Sequence, residues 1–340
     1  MTFKITTSPG GHAFAADAGE TILEAALRDG VTLPYGCRNG ACGACKGKVL
    51  EGGIEHGAFQ EHALSEADRA AGLTLFCCAK PTSDVTIEVR EIGATKDIPV
   101  KAMPCRVEKI EKPAPDVAIL RLKLPAGERL QFLAGQYVEI LLKDGKRRAF
   151  SLANAPHDDE FLQLHIRHVA GGLFTDFVFN ELKEKAILRF EGPHGTFFLR
   201  EDSDKPLVLV ASGTGFAPLK SIVEHAFHNR HQRPMTLYWG ARTARDLYLA
   251  ELAQGWAEQH ADFKFIPVIS EPQAGDGWQG RTGFVHQAVL DDFTDLSGVQ
   301  IYACGAPAMV AAARESFTAQ RGLPQEEFFS DAFTLAGADK

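Results

Sequence analysis

The sequence has no surplus of positive charge. Its 340 residues carry 36 Lys and Arg against 44 Asp and Glu, a net of −8, and that balance excludes a general nucleic-acid-binding role. It has no long apolar run. The most apolar stretch, residues 206–219, is broken by Ser212, Gly213, Thr214 and Gly215, too short and too polar to span a bilayer. Residues 1–14 hold no apolar core followed by a small-residue cleavage site. No secretory signal is therefore expected, no membrane partner is implied, and the cytoplasm is the default compartment. Internal repeats and low-complexity segments are missing too. What remains is an ordinary globular composition, 45 % apolar and 24 % charged, in a length that predicts two or three domains at ~100–200 residues each.

The seven cysteines are unevenly placed. Cys37, Cys42, Cys45, Cys77 and Cys78 fall in the first quarter of the chain, leaving Cys105 and Cys304. In a cytosolic chain such a cluster reads as metal binding before disulfides. Cys37, Cys42 and Cys45 have C-x4-C-x2-C spacing with a further cysteine downstream, the plant-type [2Fe–2S] arrangement. Four thiolates must converge on two irons. Gly36, Gly40, Ala41, Gly43 and Ala44 let the backbone wrap tightly, so that its N–H groups point at the sulfurs and stabilise the more negative reduced cluster. A structural zinc site would pair two short C-x2-C-type clips, and the second is missing because Cys77 and Cys78 are adjacent. Those two are the candidates for the fourth ligand.

Hydrophobic periodicity divides the chain into three blocks. The first, residues 1–94, has strand patterns at 3–7 and 13–15, a helix at 21–28 ended by Gly30, the cysteine loop, and an alternating strand at 84–90. Residues 95–103 lack a strong period and read as a linker. The second block, 104–203, alternates at 117–124, 136–142 and 161–168 with turn residues between, which predicts an antiparallel β-barrel. The third, 204–334, opens on the continuous apolar run 207–211, as expected of a strand buried on both faces. Further strand patterns at 235–239, 263–269 and 299–303 alternate with helical stretches, predicting a parallel α/β sheet. Residues 335–340 read as a tail. The fold class is multidomain α/β.

Both later blocks carry motifs. Arg148, Phe150 and Ser151 follow an alternating strand. Gly135, Gln136 and Tyr137 precede them, and His165, Arg167, Gly172 and Thr175 come after. In the third block Gly213, Thr214 and Gly215 follow the buried strand and open a helix, with Pro218 in its first turn. Free N–H groups and the helix dipole make such a turn an anion site suited to a pyrophosphate. Arg242, Arg245 and Asp246 follow the next strand. An acidic residue there favours the ribose hydroxyls of NADH, whereas arginines suit the extra phosphate of NADPH. Cys304 and Gly305 follow the last strand.

With these motifs in this order, blocks two and three resemble the ferredoxin–NADP reductase superfamily. With block one, the whole chain resembles bacterial reductases that carry an N-terminal ferredoxin domain, among them the reductase components of aromatic-ring oxygenases and the CDP-6-deoxy-Δ3,4-glucoseen reductases. The resemblance implies a β-grasp ferredoxin domain, an FAD-binding barrel and a C-terminal NAD(P)-binding domain. It implies Cys77 as the fourth ligand, because the ferredoxin ligand stands four residues before a proline, here Pro81. Arg148 is implied to pair with the FAD pyrophosphate, a task for a forked, permanent cation. Phe150, where the family has tyrosine, is implied to stack on the isoalloxazine with one hydroxyl fewer. Ser151 is implied to lie near flavin N5 and His165 to touch the flavin. Arg167 and the backbone of residues 172–175 are implied to hold phosphates, Gly172 being glycine for close approach. Cys304 is implied to abut the nicotinamide, and Phe333 to cover the flavin ring. The pattern at Arg242 and Asp246 resembles NADH-using members, so NADH is expected rather than NADPH.

The implied activity joins these parts. Hydride carries two electrons, a [2Fe–2S] cluster accepts one, and flavin converts between them. A plant-type cluster near ~−400 mV drives a demanding acceptor. The resemblance gives that acceptor as a separate terminal oxygenase or a dehydratase of deoxysugar synthesis, and segments 132–137, 143–148 and 156–160 look most like the glucoseen reductases. A slow-turnover redox sensor would show a damaged nucleotide site, and a non-catalytic binding protein would have lost cofactor motifs. Neither sign is present.

Overall fold

The alternation read at the N-terminus builds β1 (Thr2–Pro9) and β2 (Ala13–Asp17), which bury Ile5, Phe14 and Ala16 on one face. In this computed structural model, which describes residues 1–334 apart from 274 and 276, the tail expected at 335–340 lies outside the described residues. Helix α1 (Ile22–Arg28) starts at Thr21, whose hydroxyl accepts from the Glu24 N–H while the Glu24 carboxylate accepts from the Thr21 N–H. This reciprocal capping satisfies two backbone donors that would otherwise be orphaned. Ile22, Leu23, Ala25 and Ala26 are its buried face. Gly30, at φ 78°, then turns the chain in the left-handed region. β3 (Lys46–Glu51), β4 (Ile54–Glu55), α2 (Glu66–Ala70), β5 (Leu73–Leu75), β6 (Lys80–Pro81) and β7 (Val85–Val89) follow. The main sheet has the order β2-β1-β7-β3-β5, with β1 and β7 parallel. Helix α1 shares one hydrophobic core with that sheet, a β-grasp arrangement.

The chain separates into two compact units, Met1–Pro99 with Gly195–Phe197, and Val100–His194 with the chain from Phe198 onward. In the second unit β8 (Lys101–Ala114), β9 (Val117–Lys123), β10 (Tyr137–Leu141), β11 (Arg147–Ser151), β12 (Leu162–Arg167), α3 (Leu173–Asn180) and β13 (Ile187–His194) come first. The six strands are ordered β11-β10-β13-β8-β9-β12, every neighbour antiparallel. A bridge between Leu152 and Leu164 joins the two end strands and closes the barrel around Val107, Leu120, Val138, Leu164 and Phe190. One expectation is corrected. Residues 101–103, read as linker, are strand, with Met103 opposite Phe190. Pro104 inside β8 hides the alternation there, since proline normally argues against a strand interior. Arg148, Phe150 and Ser151 follow β10, as read, and themselves form the next strand, β11.

The rest of the unit is β14 (Leu207–Ser212), α4 (Phe216–His228), β15 (Met235–Ala241), α5 (Ala250–Gln259), β16 (Phe263–Ile269), β17 (Arg281–Thr282), α6 (Val285–Asp292), β18 (Gln300–Gly305), α7 (Pro307–Arg321) and β19 (Phe328–Ala332). All six strands are parallel, in the order β17-β16-β15-β14-β18-β19. The order reverses between β14 and β18, and in such sheets ligands bind at the carboxyl ends of the strands at that switch point. Among the described residues, no helix is long and apolar enough to cross a membrane.

Candidate functional site

The cysteine loop lies between α1 and β3 without regular structure, so its N–H groups are not drawn into a ladder. Four thiols form two close pairs. The Cys42 N–H lies 3.3 Å from the Cys37 sulfur, and the Cys37 N–H 3.3 Å from the Cys42 sulfur. The Cys77 thiol faces the Cys45 side chain and the Gly40 N–H. Cys37 also faces the N–H groups of Asn39 and Ala41; its hydrogen bond with Cys42, then those donors, hold its thiol down at about 6, whereas Cys37 and burial push the Cys42 thiol well up. No three of these sulfurs lie within 4.8 Å of one another, as a single shared ion would need. Two pairs suit two irons, and the N–H groups aimed at them suit anionic sulfur. The donor set therefore fits a [2Fe–2S] cluster better than a single metal ion. Cys78 is half-buried, 3.5 Å from the Cys77 sulfur. A Cβ on Gly40 would meet the Cys78 sulfur at 2.8 Å and the Ala58 carbonyl at 2.6 Å. With φ 75° as well, position 40 requires glycine on two counts.

The flavin-side residues gather at the barrel seam. Arg148, Phe150 and Ser151 lie on β11 and His165 and Arg167 on β12, the two strands that the Leu152–Leu164 bridge joins. Ser151 is buried, and the half-buried Phe150 ring tilts against Phe174 at 5.3 Å. Arg148 donates from Nη1 only to the neighbouring Arg147 carbonyl, at 2.9 Å. Arg167 Nε lies 3.4 Å from the Asp116 carboxylate, yet the buried Nε and Nη2 make no hydrogen bond. Buried guanidinium donors without acceptors are costly, and a phosphate group would satisfy them. The stretch at 172–175 departs from expectation. The Thr175 hydroxyl donates to the Val169 carbonyl at 2.9 Å, and a Cβ on Gly172 would lie 2.6 Å from that hydroxyl and 2.9 Å from the carbonyl. Gly172 is thus required by its own loop, whatever ligand approaches. The backbone N–H groups at the start of α3 receive no side-chain cap.

The nucleotide-side residues meet at the switch point. Gly213 has φ 54°, and a Cβ there would sit 3.2 Å from Arg167 Nη1. That contact sets the barrel arginine against the glycine turn. A Cβ on Gly215 would run into the backbone of Cys304, and one on Gly305 into Ser212. The close approach of the ends of β14 and β18 therefore needs glycine at both positions, and the Ala306 N–H donates to the Ser212 hydroxyl across it at 2.8 Å. Pro218 lies in the first turn of α4, as expected. Cys304 is fully buried, and burial raises its thiol well above the ordinary range. Its thiol is neutral in this state, not a thiolate. The Phe333 N–H donates to the Gly305 carbonyl at 2.7 Å, and its half-buried side chain lies just past the end of β19. Asp246 has a local role of its own. Its buried carboxylate accepts from the Thr243 N–H and hydroxyl at 3.0 Å and lies 3.8 Å from Arg242 Nε. It caps its own turn through Oδ2, while Arg242 is 61 % exposed.

Three residues escaped the sequence reading. Tyr248 is buried and 2.8 Å from His165 Nδ1. Lys220, also buried, donates to the Ala153 carbonyl at 3.2 Å and to Glu224 at 2.7 Å, and Ser221 donates to the Asn154 carbonyl at 2.7 Å. They fasten helix α4 to the loop after β11. A lysine and a serine on an otherwise apolar helix stretch were the available signal. Phe216 stacks on Trp239 at 3.9 Å behind them, worth about 0.5–1.5 kcal/mol beyond area burial.

Sequence comparison matches three family models in order: a 2Fe-2S iron–sulfur cluster binding domain at 5–82, an oxidoreductase FAD-binding domain at 104–199 and an oxidoreductase NAD-binding domain at 209–315. The CDP-6-deoxy-L-threo-D-glycero-4-hexulose-3-dehydrase reductase of Yersinia pseudotuberculosis is 42 % identical over 333 residues, covering 98 % of this chain and 99 % of that protein. Reductase component 2 of terephthalate 1,2-dioxygenase from Comamonas is 36 % identical over 335 residues, with 98 % of each chain covered. The crystal structure of the Amycolatopsis reductase GcoB has a TM-score of 0.78 and 36 % identity, covering 98 % of this chain and all of that one.

Proposed function

The chain belongs to the ferredoxin–NADP reductase-like family, in the branch with an N-terminal ferredoxin domain, and on that premise we propose how this NAD(P)H-dependent oxidoreductase divides its work among its residues. FAD, when bound, accepts hydride and releases electrons singly, which a [2Fe–2S] cluster takes one at a time. Cys37 with Cys42, and Cys45 with Cys77, hold the two irons. Arg148 and Arg167 neutralise the FAD phosphates, Phe150 provides a ring to stack on the flavin, and Ser151 lines its reactive edge. Gly213, Thr214 and Gly215 receive the nucleotide pyrophosphate, Cys304 and Gly305 border the nicotinamide, and Phe333 covers the ring. The observation that carries this reading is the meeting of Arg167 with the Gly213 turn at the switch point, in a chain that also holds the paired thiols.

The electron acceptor is a separate cytoplasmic terminal component. The 42 % identity to a hexulose-dehydrase reductase favours a dehydratase acting on a nucleotide-linked deoxysugar; the second reading is an oxygenase, as named for the Comamonas relative. NADH is the proposed donor. Asp246, engaged in its own turn, lends that preference no support, so the ratio of kcat/KM for the two nucleotides decides it, and a large NADPH preference would defeat it. The overall reading is tested by an anaerobic NADH titration followed by visible absorbance and EPR. Flavin bleaching with a rhombic [2Fe–2S] signal is expected. Absence of any cluster after iron–sulfur reconstitution would refute the assignment of the cysteine loop.

A further inference from the structure

His165 and Tyr248 form a buried pair whose proton positions the surroundings determine. His165 lies on β12 of the barrel, and Tyr248 follows β15 of the nucleotide sheet. The Tyr248 oxygen is 2.8 Å from His165 Nδ1, and the two rings meet edge to face at 5.5 Å. Both residues are more than nine-tenths buried. Burial first, and Lys220 second, hold the imidazole neutral by dropping it to about 3. A neutral imidazole carries one N–H and one bare nitrogen, so two arrangements are possible. If Nδ1 carried the hydrogen, it would donate to the tyrosine oxygen. The phenolic hydrogen would then need another acceptor, and among the described residues the Tyr248 hydroxyl has no hydrogen-bond partner but His165. A buried donor without an acceptor is costly. If Tyr248 donates to Nδ1, both groups are satisfied and the hydrogen resides on Nε2.

His165 Nε2 is itself buried and makes no hydrogen bond within the chain. It stands two residues before Arg167 on the same strand, hence on the same face, where the Arg167 donors also lack acceptors. Two adjacent unmet donors on one face point to an acceptor-bearing ligand. We propose that Tyr248, a residue of the nucleotide half, fixes the tautomer of His165 so that its Nε2–H is presented as a hydrogen-bond donor to an oxygen or ring nitrogen of bound FAD. Tyr248 is then a positioning residue, and this role rests on the flavin site proposed above. A side chain on the nucleotide side sets the polarity of a contact on the flavin side.

The test uses full-length protein labelled with 15N-histidine, stripped of FAD and then reconstituted. The His165 resonances are identified by their loss in His165→Gln. The expected result is the Nε2–H tautomer in the FAD-free protein, a shift of that N–H on adding FAD, and mixed or inverted tautomers in Tyr248→Phe. FAD should bind about three- to tenfold more weakly to Tyr248→Phe, the effect of one misdirected hydrogen bond. His165→Gln, whose amide nitrogen reaches the Nε2 position, should retain more affinity than His165→Leu. An Nδ1–H tautomer in the unmodified protein overturns the proposal, and needs no variant to fold. An Nε2–H signal that FAD leaves unmoved, in protein that does bind FAD, also overturns it while the flavin site stands. Failure of the protein to bind FAD under any condition would sink the site reading itself.

Discussion

Replacing Gly215 with alanine isolates the contact between β14 and β18 on which the nucleotide site depends. The backbone at 215 has φ −58° and ψ −13°, so alanine meets no conformational objection. The obstacle is steric. Its Cβ would lie 2.5 Å from the Cys304 carbonyl carbon and 2.8 Å from Gly305 Cα, against about 3.5–4.0 Å for comfortable carbon contacts. Both obstacles are backbone and cannot rotate aside. The turn and the strand end must part by about 1 Å, a change that can cost on the order of 10²-fold in rate when it misplaces reacting groups. Overpacking of this kind destabilises by about 1–3 kcal/mol, or roughly 2–4 °C in Tm for each kcal/mol in a unit of this size. Flavin reduction by NADH in anaerobic stopped flow should therefore slow about 10²-fold in Gly215→Ala, with iron content unchanged. Gly298→Ala is the control, because a Cβ there meets nothing within 4 Å. A Gly215→Ala protein within threefold of the parent in rate and unaltered in Tm would refute the reasoning, as would equal damage in the control.

Two more outcomes are expected. Serine at Cys37, Cys42, Cys45 or Cys77 should abolish the reduced [2Fe–2S] EPR signal, whereas Cys78→Ser should keep it; loss in Cys78→Ser with retention in Cys77→Ser would reverse the assignment of the fourth ligand. Acid should destabilise the second unit through His165. Its folded value of about 3 lies below the unfolded value of ~6.5, so its contribution is complete above pH ~6.5. Below that the unfolded chain binds an extra proton, and stability falls by up to about 1.4 kcal/mol per pH unit as pH drops toward 3. Urea unfolding at pH 7.5, 6.0 and 5.0 should show a shallower loss in His165→Gln, and identical pH slopes would contradict this.

What was legible in the sequence was local. The C-x4-C-x2-C spacing, the alternation of Val85–Val89 and the glycine turn after Leu207–Ser212 each place their chemistry within a few residues. What stayed hidden was made by folding. Gly192 and Pro193, near the end of β13, break its pattern as surely as Pro104 breaks that of β8. His165 and Tyr248 are 83 positions apart, and nothing in either neighbourhood announces the other. Asp246 holds a second role that position alone did not announce. Position suggested a ribose acceptor, but a carboxylate three residues after Thr243 can also cap its own turn, and here it does so.

The joint made by Lys220 and Ser221 bears on how such a chain can be reassembled. Both side chains grip main-chain carbonyls, at Ala153 and Asn154, so the joint ignores which side chains the barrel loop carries but requires that loop to be there. A nucleotide sheet transplanted without its barrel would leave a buried ammonium with one acceptor fewer, a heavy penalty in a dry interior. Barrel and sheet therefore form a single exchangeable cassette. The natural place to graft a different electron-carrying module is upstream, near Val100, where the chain passes from one compact unit to the other.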